Sequence, residues 1–187
     1  CSSTLFAQVA CPTANPITVT RTTGGTGVNG SLPWAINCMN NVTTLNTIQF
    51  NITGAGPHII QPIANAPLPT VTKANSHIDG STYNIVIDGS LGQAQGLVLA
   101  ANNVKVNGLT LRNFATTTFP NGLALSTGNG HDISTCQIFD NLVGISVARS
   151  VGSFTISNNY IGVDKSGTNL SNTNAGIDVT AFAGTTG

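Results

Sequence analysis

Residues 122–161 read GLALSTGNGHDISTCQIFDNLVGISVARSVGSFTISNNYI. One pattern passes through them twice in the same order. Gly122-Leu123-Ala124-Leu125 returns as Gly144-Ile145-Ser146-Val147, and His131-Asp132-Ile133-Ser134 as Phe154-Thr155-Ile156-Ser157. Cys136-Gln137-Ile138 then returns as Asn159-Tyr160-Ile161. Apolar and polar residues alternate within each piece, the period of a strand with one face buried. Three such short strands cannot bury an apolar face alone, so successive units have to stack.

The pattern extends in both directions. Upstream it reads Gly96-Leu97-Val98-Leu99, Val104-Lys105-Val106-Asn107 and Leu109-Thr110-Leu111, and downstream Gly176-Ile177-Asp178-Val179 opens another unit. The leading glycines lie 26, 22 and 32 residues apart. The reading is an all-β chain wound as a right-handed parallel β-helix, with coils about 4.8 Å apart. Stacking then predicts columns: Val106, Ile133 and Ile156; Leu111, Ile138 and Ile161; and a polar column of Asn107, Ser134 and Ser157. Cys136 falls between two of these positions and reads as a small core residue, not a nucleophile. The longest spacing comes from residues 162–174, polar and glycine-containing, which read as a surface loop. Its Asp164 and Lys165 define no chemistry by themselves.

The first half reads as the start of the same solenoid. Ile17 to Thr20 is expected as a strand and Thr23 to Gly27 as a loop. Ser31 is placed as a helix N-cap, with Pro33 in the first turn and Trp34, Ala35, Ile36 and Met39 along the helix. This short capping α-helix is expected to cover the open apolar end of the coils, with Trp34 as its main plug. Further strands are expected at 47–50, 58–60, 69–72, 76–78 and 84–87, with Ile-Asp-Gly-Ser turns at Ile78 to Ser81 and Ile87 to Ser90. The organisation is therefore 1–7 as a signal-peptide remnant, 8–46 as strand and capping helix, and 47–187 as coils. Nothing apolar-capping follows Val179, so the coils are expected to continue beyond the C-terminus.

Only 6% of the residues are charged, with six Asp, no Glu and six Lys or Arg, against roughly 25% in ordinary soluble domains. Thr, Ser, Asn and Gly have to keep such a surface in water. A neutral chain without a basic cluster has no electrostatic footprint for nucleic acid, and no run approaches the roughly 20 apolar residues of a transmembrane segment. Cys1-Ser2-Ser3-Thr4-Leu5-Phe6-Ala7-Gln8 reads as the tail of a secretory signal, cleaved between Ala7 and Gln8. The rival reading is a lipidated Cys1, and both export the protein to the outside or the outer cell surface. Cys11 and Cys38 are then a candidate disulfide, with two free buried thiols as the alternative. The spacing of the Cys and His residues suggests no metal site.

Several motifs in order resemble a family of bacterial secreted and cell-surface β-helix proteins. They are Gly30-Ser31-Leu32-Pro33-Trp34-Ala35-Ile36, Thr47 to Phe50, Leu68 to Thr72 with Ile78 to Ser81, and Asn159 to Thr168. Pro33 stands where that family usually has Arg. The Leu-Phe-Ala-Gln junction is similar to those of exported Bacteroidota proteins, and the resemblance implies a substrate of type IX secretion. It implies no catalytic residue.

Three functions compete. The first is a non-catalytic structural or adhesion module, a β-helix rod whose partners are surface glycans or other cell-surface proteins. The second is a carbohydrate-active or carbohydrate-binding β-helix resembling a polysaccharide lyase. That would need a base and, in the usual case, Ca²⁺ held by several carboxylates, or two carboxylates about 5–9.5 Å apart for hydrolysis. Asp132 and Asp178 could approach one another across neighbouring coils, with Arg112 or Arg149 nearby, but their strand positions differ. The third is a filament subunit that self-associates through its open end. No catalytic residue and no cofactor is assigned, and Ca²⁺ enters only through the lyase analogy.

Overall fold

The computed structural model describes residues 10–25, 28–62, 67–92, 95–115 and 121–180. The signal-remnant reading of residues 1–7 lies outside them. The first coil holds β1 (Ile17–Val19) and β2 (Thr23–Gly24) and runs into helix α1 (Leu32–Asn41), and the second holds β3 (Thr47–Phe50) and β4 (His58–Pro62). The third holds β5 (His77–Asp79), β6 (Ile85–Asp88) and β7 (Gln95–Ala100), and the fourth β8 (Lys105–Asn107), β9 (Leu109–Arg112) and β10 (Asn121–Thr127). The fifth holds β11 (His131–Ser134), β12 (Gln137–Phe139) and β13 (Val143–Val147), and the sixth β14 (Phe154–Ser157), β15 (Tyr160–Ile161) and β16 (Ala175–Val179). Sheet 1 stacks β1-β3-β5-β8-β11-β14, sheet 2 stacks β2-β4-β6-β9-β12-β15, and sheet 3 stacks β7-β10-β13-β16. Their strands pair in parallel, so the fold is a parallel β-solenoid of about five turns.

Register turns sequence alternation into columns. In sheet 1 the inward column is Ile17, Ile48, Ile78, Val106, Ile133 and Ile156. In sheet 2 it is Ile60, Ile87, Leu111, Ile138 and Ile161, and in sheet 3 Leu97, Leu123, Ile145 and Ile177. Before the sixth coil every one of these side chains is buried, each contributing about 1.5–3 kcal/mol. Both apolar columns and the Asn107, Ser134, Ser157 column fall as the repeat predicts.

Helix α1 takes the place of a third strand in the first coil. Leu32, Ala35, Ile36 and Met39, spaced i, i+3, i+4 and i+7, are fully buried in the apolar core cluster, the stripe of an amphipathic helix. Ser31 caps it, accepting from the Trp34 N–H at 3.3 Å. Beyond the helix, sheet 3 begins with Val71 alone, which forms a parallel bridge to Leu99. On the other side of Val71 the Asn40 side chain stands in for a strand: its Nδ2 donates to Thr70 O at 2.8 Å and its Oδ1 accepts from Thr72 N at 2.9 Å. One amide thus saturates a sheet edge that would otherwise be open to pairing.

Two local expectations are corrected. The segment read as a loop from Thr23 contains β2, pairing Thr23 with Gln61 and Gly24 with Pro62. Gly24 is needed there because a Cβ would stand 1.8 Å from Gln61 O. The strand expected over 69–72 reduces to the Val71 bridge, flanked by Pro67 and Pro69, which have no N–H to donate.

A second asparagine device holds the corners. Asn141 Oδ1 accepts from Phe114 N at 3.1 Å and its Nδ2 donates to Leu111 O at 3.2 Å. Asn172 does the same to Asn141 N and Ile138 O, and Asn159 to Cys136 N and Ile133 O. Each amide joins an N–H to the carbonyl three residues before it, one coil back. The residue just before each clamped N–H has a positive φ: Asn113 at 63°, Asp140 at 54° and Thr135 at 54°. A left-handed residue breaks the ladder at each corner, and the next coil's asparagine repairs it.

Candidate functional site

Outward-facing columns carry the polar chemistry. On sheet 1, Thr47, His77, Lys105, Asp132 and Thr155 share one column, and Thr18, Gln49, Asp79, Asn107, Ser134 and Ser157 share another. His77 Nε2 donates to Asn107 Oδ1, and Asn107 Nδ2 donates to Asp79 Oδ1 at 2.9 Å. Asp79 also accepts from the Ser81 N–H at 3.0 Å and the Ser81 hydroxyl at 2.6 Å. Burial alone would raise the Asp79 carboxyl, but the bonds from Ser81 and Asn107 and the His77 charge outweigh it and lower it. An ionised acid committed to its own turn is a weak base.

Asp88 and Asp164 are committed in the same way. Asp88, almost wholly buried, takes Arg112 Nε at 2.9 Å, Asn113 Nδ2 at 3.1 Å and Ser90 N at 2.9 Å. Its carboxyl too is raised by burial but lowered on balance by the bonds from Ser90, Asn113 and Arg112. Asp164 is lowered by bonds from Ser166 and Thr168 that close its loop. Asp132 lies 4.0 Å from Lys105. Asp132 and Asp178 do not approach one another, as their differing strand positions imply: Asp132 sits on sheet 1 in the fifth coil and Asp178 on sheet 3 in the sixth. Arg112 pairs with Asp88 instead of serving either. Among the described residues no three Asp, His or Cys side chains gather where they could hold a metal ion.

The cysteines among the described residues are structural. Cys11 and Cys38 form a disulfide with Cα atoms 5.4 Å apart, tying the segment before β1 to α1. Cys136 is free and buried, and burial pushes its thiol up to about 11, leaving no thiolate nucleophile at neutral pH. Trp34, in the helix, is buried, and its indole N–H has no partner among the described residues.

Two depressions flank the turn from Gly80 to Asn84. The smaller, about 300 Å³, lies over the first coils of sheet 1, between Thr18, Gln49, Asp79 and Tyr83. The larger, about 560 Å³, follows the corner between sheets 1 and 2. It starts at Ser81 and Asn84 in the third coil, passes Thr110 and Gln137, and ends at Lys165. Glycines keep it open: a Cβ on Gly108 would lie 2.4 Å from Ser81 N, and one on Gly80 2.4 Å from Leu109 Cδ2. Sequence reading passed over these residues because they come from separate coils. The signal that could have found them is the repeat itself, which aligns Thr110, Gln137 and Tyr160. Among the described residues no helix is long and apolar enough to cross a membrane. No family model, curated protein or solved structure matches the chain.

Proposed function

We propose that the chain is a non-catalytic structural and adhesive module of an exported bacterial surface protein, a β-solenoid rod that presents polar columns to glycans or to other surface proteins. The observation that carries this reading is that three of the six acids, Asp79, Asp88 and Asp164, are committed to their own turns. What faces outward is mainly hydroxyl and amide, arranged once per coil on a rigid scaffold. The ordered motifs from Gly30 to Thr168 and the Leu-Phe-Ala-Gln junction support placement with secreted β-helix proteins of the Bacteroidota type, exported by type IX secretion. The Cys11–Cys38 disulfide suits an oxidising compartment outside the cytoplasm.

The test has two arms. Protease shaving of intact cells should release peptides of this chain, and incubation with acidic polysaccharides, with and without Ca²⁺, should give no unsaturated or shortened product. Turnover that disappears on Asp79→Asn or Asp132→Asn would replace this reading with the carbohydrate-active enzyme.

A further inference from the structure

Four Asn-Gly pairs occur in the chain, beginning at Asn29, Asn107, Asn121 and Asn129. Such a pair carries a chemistry of its own. The glycine amide nitrogen can attack the side-chain carbonyl carbon of the asparagine, and glycine, having no Cβ, does not shield that approach. The attack needs the asparagine amide free to swing over the following peptide, and the glycine N–H released from its bonds. The fold meets those conditions unequally.

Three of the pairs are locked. Asn107 uses its side chain in two bonds, accepting from His77 Nε2 and donating to Asp79 Oδ1, and the Gly108 N–H donates to Ser134 O at 3.3 Å. Asn121 is buried at the start of β10, which pairs with β7 on one side and β13 on the other. Asn129 is exposed, but the Gly130 N–H donates to Ser153 O at 2.7 Å and to the Ser153 hydroxyl at 3.1 Å.

The fourth pair differs. Asn29 is exposed in the turn between β2 and α1, outside every strand and helix. Gly30 O accepts from Thr20 N at 2.9 Å and Arg21 N at 3.1 Å, and Ser31 N donates to Val28 O at 3.0 Å. The Gly30 N–H is in none of these bonds. Nor can the glycine be exchanged: its φ is 80°, and a Cβ would stand 2.4 Å from Thr20 Oγ1. The first coil therefore holds a reactive pair at its surface.

We propose that Asn29 is a self-modification site, at which the folded chain deamidates while its other three Asn-Gly pairs stay intact. Gly30 N bonds to Asn29 Cγ, the Cγ–Nδ2 bond breaks, and ammonia leaves with the proton of the Gly30 amide. Water then adds to either carbonyl of the succinimide and opens it to aspartate or isoaspartate. The net change is one water consumed and one ammonia released, with no oxidant or reductant. The new carboxylate lies two residues before the N-cap Ser31, at the start of a helix with no acid in its first turn, where the helix dipole favours a negative charge. It also takes a chain of zero formal charge to minus one, so the modified form separates by charge.

The experiment is incubation of the intact chain at mildly alkaline pH, folded and in denaturant, with peptide mapping that resolves aspartate from isoaspartate at each pair. In the folded chain Asn29 should convert at least about tenfold faster than Asn107, Asn121 or Asn129, because each of those has to break hydrogen bonds before its ring can close. In denaturant the four rates should converge. Asn29→Gln should remove the acidic species that the folded parent accumulates. Conversion of any other pair in the folded chain as fast as that of Asn29, an Asn29 spared until denaturant is added, or an acidic species undiminished in Asn29→Gln would overturn the assignment.

Discussion

Replacing Asn141 by Ala tests whether the solenoid depends on its side-chain clamps as well as its apolar columns. Asn141 is completely buried, and its amide is bonded to Phe114 N and Leu111 O one coil back. Truncation leaves the Phe114 N–H without its acceptor and takes one donor from Leu111 O. A buried polar group left unsatisfied costs about 1–3 kcal/mol, a sizeable part of the roughly 5–15 kcal/mol of a typical domain. At about 2–4 °C per kcal/mol for a chain of this size, the midpoint should fall by roughly 2–12 °C in a calorimetric scan. Asn129→Ala is the control, since Asn129 is exposed, and it should stay within about 0.5 kcal/mol of the parent. Asn141→Asp refines the test, because the aspartate keeps the acceptor for Phe114 N but turns a charge toward Leu111 O. Burial raises that carboxyl in the folded state, so the variant's deficit against the parent should be smaller at acid pH than at neutral pH. A loss below about 1 kcal/mol in Asn141→Ala, or an equal loss in Asn129→Ala, would refute the clamp.

Three further outcomes are expected. Removing the disulfide with Cys11→Ala and Cys38→Ala, which closes a separation of 27 residues, should cost about 3.5 kcal/mol in reversible urea unfolding; an unchanged midpoint would mean the N-terminal segment is held by other contacts. Peptide mapping after iodoacetamide treatment at about pH 8 should find Cys136 unlabelled in the folded protein and labelled in denaturant, because burial keeps its thiol protonated and out of reach. Stability should hold down to about pH 4 and fall below it: Asp88 is depressed on balance, its contribution being present above the ordinary carboxylate range and lost as pH falls through its folded value. Asp88→Asn should be less stable at neutral pH yet lose less between pH 7 and pH 3, and an acid limb identical to the parent's would assign that loss to other groups.

How much of this was legible depended on whether a residue's role was local or columnar. The strands around Ile133 and Ile138 were legible because alternation over three or four residues already says which side is buried, and the repeat says what lies above and below. Strand β2 was not, since Thr23–Gly24 is two residues long and one has no side chain, so no alternation can show. The Asn40, Asn141, Asn159 and Asn172 clamps were invisible for a different reason. Asparagine in a loop reads as a turn residue, Asn40 reads as part of the helix, and the partners lie 23 to 34 positions away. The separation of Asp132 from Asp178, by contrast, was legible, because the two occupy different strand positions of the repeat.

The scarcity of charge and the abundance of asparagine have one physical explanation. A coil turns a corner by placing a residue in the left-handed region, as at Asn113, Thr135, Asp140 and Asn158, where asparagine and aspartate are tolerated best after glycine. That turn interrupts the ladder, and a short amide from the next coil can satisfy both an N–H and a C=O, which a charged side chain of one sign cannot. Amides therefore do inside the corners what strand pairing does along the faces. The same substitution operates outside, where hydroxyls and amides replace ion pairs as the solvated groups. Such a surface is built from columns with one residue per coil, so a ligand that repeats along its own length at nearly the coil spacing meets it best. A compact ligand would touch one rung and gain nothing from the stack.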